Sequence, residues 1–306
     1  MSAVHSEVPS RKIGNIFLTP DPQREGKRRL RAGWRIAGQL ILLVVISLLY
    51  GLLVVGLGWF DSANPLVQQA IGMGSSLIGV TLAVYLARRW FDRRSFVSLG
   101  LAVGERAGAD LLVGFLIAGG MMFLIFLLEW LAGWLTLTGV AWRQISVWET
   151  VRQTTIMLAV FISVGWYEEL QARGYWLQNL AEGLNLTWGV LISSGVFALA
   201  HLFNPNFNPL AMVGIFLAGL FLAFAYLRTR QLWLPIGLHI GWNFFEGTVF
   251  GFPVSGLEMF RLLQPQVNGP ELFTGGAFGP EAGLVLLPAL ALGFLLVNLY
   301  GSGRET

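Results

Sequence analysis

Eight stretches of this chain, near 36–59, 66–87, 110–137, 153–180, 187–203, 209–227, 232–250 and 279–299, are apolar almost throughout. Each approaches the ~20 residues a helix needs to cross hydrocarbon about 30 Å thick. In that medium the backbone must satisfy its own polar groups, so runs of this length read as helices. The expected fold class is all-α, a polytopic membrane protein of about eight transmembrane helices. Composition agrees: hydrophobic residues are 55% of the chain, charged residues 12%, and mean hydropathy is +0.65. With no cysteine, disulfides, Cys-based zinc sites and a thiol nucleophile are excluded.

The pI near 9.5 does not signal nucleic acid, because the basic residues flank apolar runs. Lys12, Lys27, Arg28, Arg29, Arg31 and Arg35 precede the first run. Arg88, Arg89, Arg93, Arg94 and Arg106 follow the second, Arg228 and Arg230 the sixth, and Arg304 the eighth. The opposite side keeps Arg143, Arg152 and Arg261. By the positive-inside rule both termini are cytoplasmic and the proline-containing loop 251–279 is external. Residues 1–33 carry no signal-peptide pattern and read as a basic, mobile cytoplasmic arm. Residues 34–301 form a single transmembrane domain and 302–306 a cytoplasmic tail.

Ionisable groups at membrane depth are costly and therefore candidate functional residues. Glu168 and Glu169 are adjacent, so about 100° of helix rotation separates them and they need separate roles. Glu169 and Arg173 share a face at the spacing of an ion pair, leaving Glu168 without a local partner. The midpoint between Glu168 and His201 falls near Leu184, in the turn-like Glu182–Asn185 segment. A helical hairpin reversing there, with the fourth helix continuing to about Leu180, sets Glu168 and His201 at one depth. His239 and Asn243 are four apart on one face and together can donate hydrogen bonds to an oxyanion. Gly237 and Gly241 beside them admit a closely packed helix. Glu129 and Glu246 read as interfacial or packing residues. The chain has no His-Glu-x-x-His zinc helix, glycine-rich phosphate loop or Gly-x-Ser-x-Gly elbow.

The ordered set Glu168-Glu169-x-x-x-Arg173, Phe197-x-x-x-His201 and His239-x-x-x-Asn243 resembles the CaaX-protease and bacteriocin-processing family of intramembrane endopeptidases. Arg173-Gly174-Tyr175 and the Ser-Leu-Gly-Leu at 98–101 add to the resemblance, which spans roughly 95–250. Gln171-Ala172 departs from the more apolar residues usual before the motif arginine. The resemblance implies eight helices around a polar intramembrane cavity open to the cytoplasm. There Glu168, helped by His201, would activate water, His239 and Asn243 would stabilise the oxyanion, and Glu169 and Arg173 would hold the helix. No cofactor is required by this reading. The alternative uses Glu168, His201 and His239 as zinc ligands in a metalloprotease. A noncatalytic membrane scaffold or immunity protein and a proton-coupled transporter are further readings. The implied partners are the bilayer and a membrane-associated peptide or protein, with prenylated C-terminal peptides as one substrate class. The implied location is a bacterial plasma membrane.

Overall fold

The apolar runs become helices whose ends are set by local polar side chains. The computed structural model describes residues 16–21, 25–60 and 65–303. Lys12, Arg304 and most of the arm and tail assigned to 1–33 and 302–306 lie outside them. The helices are α1 (Ala32–Gly56), α2 (Pro65–Trp90), α3 (Glu105–Leu131), α4 (Val147–Glu169), α5 (Gln178–Gly183), α6 (Leu186–Ala200), α7 (Pro209–Thr229), α8 (Trp233–Asn243), α9 (Glu271–Thr274) and α10 (Leu286–Ser302). Ser146 caps α4 by accepting from Glu149 N at 3.1 Å, and Asn185 caps α6 through Trp188 N at 3.0 Å. Asn208 accepts from Leu210 N and Ala211 N at the start of α7, with Pro209 in the first turn, where its missing N–H costs nothing.

Among the described residues, Ala32–Gly56, Ile71–Trp90, Glu105–Leu131 and Pro209–Thr229 are long and apolar enough to cross a membrane by length and composition. Leu186–Ala200 and Leu286–Ser302 are shorter apolar helices. The fourth and seventh runs, which carry the ionisable motifs, are instead interrupted by π-helical turns at Leu170–Leu177 and Phe244–Val249. Two antiparallel ribbons complete the fold. One pairs β1 (Leu18–Pro20) with β2 (Arg28–Leu30), the other β3 (Leu135–Val140) with β4 (Leu263–Val267).

On α1, Ile41, Leu48 and Leu52 are exposed, as lipid-facing residues are. The interior core joins Val84, Phe161, Leu170, Tyr175 and Ile236, and a second cluster joins Met121, Met122, Leu238, Leu286 and Leu290. Glycine sets the closest approach, between α3 and α8. A Cβ on Gly237 would overlap the Leu111 carbonyl, one on Gly241 that of Phe115, and one on Gly114 that of Leu234. The helix that the Gly237/Gly241 pair admits is therefore α3.

A buried ionic lattice ties the ends of α1, α2 and α5. Asp92 takes Arg35 at 3.1 Å and Arg88 at 2.8 Å, while Glu182 takes Arg29 at 2.9 Å, Arg35 at 3.0 Å and Arg94 at 2.6 Å. Arg29, within the sequence assigned to the basic arm, is thus buried against the helical body. The Ser-Leu-Gly-Leu segment is part of the same clamp. Ser98 O accepts from Arg88, Leu99 O from Gln178, and Gly100 O from Leu232 N at the entrance to α8.

Candidate active site

The hairpin that the sequence places about Leu184 is formed: helix continues from α4 through the π turn and α5 to Gly183, then reverses into α6 at Asn185. Glu168 from α4 and His201 at the end of α6 consequently line one cavity of about 410 Å³, together with His239 and Asn243 from α8. Its walls are mostly apolar, with Val80, Phe161, Ile215, Phe221 and Leu290 among them. Pi-helical turns immediately follow Glu169 and Asn243, a distortion common at functional sites.

Glu169 and Arg173 are fully buried, 2.7 Å apart between Oε1 and Nη1. Arg173 Nη2 also donates to Gly219 O at 3.0 Å, and its guanidinium sits 4.4 Å from the centre of the Phe197 ring. Phe197 in turn meets the His239 ring edge-on, with centroids 6.0 Å apart. Glu169 Oε1 lies 2.9 Å from His239 Nδ1, so the carboxylate fixes the tautomer in which Nδ1 donates. His239 Nε2 then faces Glu168 Oε2 at 3.7 Å. This link between Glu169 and His239 has no signature in sequence spacing, because it spans two helices with no shared period.

His201 caps α6, and its Nδ1 donates to Phe197 O at 2.8 Å. That leaves Nε2 as the nitrogen able to accept from water in the neutral ring. Glu168 is partly exposed within the cavity. Gln171, where the chain departs from the family pattern, lines the same cavity and accepts from Gln39 Nε2 at 3.0 Å, linking α1 to the site.

Two acids outside the motifs are packed into the interior. Glu129 and Glu246 are both wholly buried, and none of their carboxylate oxygens receives a hydrogen bond of good geometry among the described residues. Glu281, Ser255 and Trp242, which sequence reasoning did not single out, line the cavity. Glu281 lies at the edge of the last apolar run, where an acid reads as an interfacial residue. Among the described residues, no three His, Asp or Glu side chains gather at metal-ligating spacing.

Residues 150–245 match the family model described as Rce1-like, type II CAAX prenyl endopeptidase Rce1-like. The matched segment contains all of Glu168, Glu169, Arg173, Phe197, His201, His239 and Asn243, the residues on which the sequence resemblance rests. No curated protein matches the chain.

Proposed function

We propose that this chain, Rce1-like over residues 150–245, is an intramembrane endopeptidase that hydrolyses membrane-associated peptides by a metal-free, carboxylate-activated water. The observation that carries the proposal is the meeting of Glu168, His201, His239 and Asn243 on one mostly apolar cavity, with Glu168 Oε2 3.7 Å from His239 Nε2. In this reading Glu168 takes a proton from water, and His201 Nε2 helps to orient that water. The hydroxide adds to the peptide carbonyl carbon. Asn243 Nδ2–H and the imidazolium Nε2–H of His239 donate to the resulting oxyanion. Glu168 then passes the proton to the leaving amine as the C–N bond breaks, leaving a carboxylic acid and a free amine.

Glu169, oriented by Arg173, holds the His239 ring so that Nε2 points at the reacting group. The protease domain spans 34–301, crosses the membrane eight times with both termini cytoplasmic, and draws its substrate from the bilayer. Prenylated C-terminal peptides are one substrate class compatible with the apolar walls. Comparison of membrane peptidomes from cells carrying the native chain or Glu168→Gln tests the proposal. Peptides present only with the native chain are expected, with equal amounts of folded protein in both. Identical peptidomes would remove Glu168 from catalysis.

A further inference from the structure

One carboxylate in the cavity belongs neither to the motifs nor to the segment that matches the family. Glu281 is 7% exposed, lines the cavity and stands just before α10. Its Oε2 accepts from Ser255 N at 2.8 Å and Ser255 Oγ at 2.6 Å. Ser255 O accepts from Asn204 Nδ2 at 3.0 Å, and Asn204 N donates to His201 O at 2.9 Å. Glu281 is therefore held rigidly at the level of His201, with no hydrogen bond among the described residues to its Oε1. Behind it lies the wholly buried Glu246, whose oxygens also lack hydrogen bonds of good geometry.

Around the cavity the acids Glu168, Glu169, Glu246 and Glu281 outnumber the basic Arg173, His201 and His239. Arg173, the buried cation nearest the site, is spent on Glu169, and His239 is already flanked by Glu168 and Glu169. His201 and His239 are the basic groups close enough to act on Glu281, and neither forms a salt bridge with it among the described residues. A carboxylate in such a medium gains strongly from a cation brought to it, because an unpaired buried charge is heavily penalised. Its orientation by Ser255 fixes where that cation would sit.

Resting on the peptidase reading above, we propose that Glu281 forms a subsite for a cationic side chain of the substrate. The preferred substrate is then a membrane-associated peptide with Lys or Arg close to the scissile bond. The apolar walls take the neighbouring residues. A segment lacking a basic residue is disfavoured by the same carboxylate.

The test uses the purified full chain and leucine–alanine dodecapeptides that carry Lys, norleucine or Glu at one position, moved stepwise along the peptide. Cleavage is followed by mass spectrometry, and binding by fluorescence anisotropy of labelled peptides on Glu168→Gln protein. Lys peptides are expected to exceed norleucine peptides at least about tenfold in kcat/KM and in affinity, the scale of one charge-assisted hydrogen bond. Glu peptides fall lowest. In Glu281→Gln, which keeps an acceptor for Ser255, the Lys-to-norleucine ratio falls towards one. Should that variant not fold, acetylation of the peptide lysine applies the same subtraction to the native chain and should remove the advantage.

An unchanged ratio in Glu281→Gln, no ratio in the native chain, or a uniform fall in kcat for every peptide would overturn the subsite. Cleavage of all peptides alike would leave the peptidase standing and the subsite refuted. Binding selective for Lys and dependent on Glu281, with no cleavage, would leave the subsite standing and refute the peptidase.

Discussion

His239 Nδ1 stands 2.9 Å from Glu169 Oε1, the same oxygen that takes Arg173 Nη1 at 2.7 Å. A single carboxylate thus neutralises the buried guanidinium and orients the imidazole on α8. Glu169→Gln can still accept from Nδ1 but leaves Arg173 without a counter-charge, and a loss of about 3–5 kcal/mol is expected for breaking a buried pair. Arg173→Ala should cost a similar amount from the other side. The double variant Glu169→Gln, Arg173→Met removes both charges, so it should recover much of the stability measured by thermal melting in detergent while activity stays low. Recovery of activity along with stability would reduce Glu169 to a packing role.

A second prediction concerns the packing that sets the depth of His239. Gly237 and Gly241 touch the α3 backbone at Leu111 and Phe115, and a methyl group at Gly237 has no free space. Gly237→Ala should destabilise by about 1–3 kcal/mol, typical of overpacking. Because His239 is two residues away, kcat should fall more than thermal stability alone explains. Gly120→Ala is the control, since nothing lies within reach of a Cβ there.

Much of this arrangement is legible in the amino-acid sequence. Apolar length gives the helices, and the symmetry about Leu184 places Glu168 opposite His201 because helical rise is uniform on both arms of a hairpin. The Glu169–Arg173 pair follows from i,i+4 spacing. What spacing cannot carry is the choice of partner across helices: Glu169 with His239, and α3 with the glycine face of α8. Glu281 escapes for a related reason. Its role depends on the 251–279 loop folding back so that Ser255 meets both Asn204 and Glu281, a contact between distant segments with no period to betray it. The crossing count is harder to read because the motif-bearing runs trade apolar residues for Glu, Arg, His and Asn, and two of them contain π turns.

Metal dependence gives a third prediction. Since no three His, Asp or Glu side chains among the described residues gather at ligand spacing, peptide cleavage should survive exhaustive chelation and metal-free purification. Elemental analysis of the active preparation is the accompanying measurement. Loss of activity on chelation with return on adding zinc would replace carboxylate-activated water by zinc chemistry at Glu168, His201 and His239.

The last prediction lies at the rim, on Glu182. Burial raises its carboxyl pKa, but Arg94, Arg35 and Arg29 act in the opposite sense and the net shift is downward. A folded-state pKa below the unfolded value means the group stabilises the fold fully above the unfolded carboxylate range, about 4.3. That contribution is lost as pH falls through the folded-state pKa, so the lattice loosens on acidification and not on moderate alkalinisation. Glu182→Gln should lower stability at neutral pH, because three guanidinium groups lose their shared anion, and should flatten the acid limb of a melting temperature against pH curve. Asp92 still joins Arg35 to Arg88 in that variant, so α1 remains docked and the loss is partial. Arg29→Gln, removing one of three partners, should give a smaller change in the same direction. An acid limb identical in Glu182→Gln and the native chain would show that Glu182 is not the group whose protonation loosens the rim.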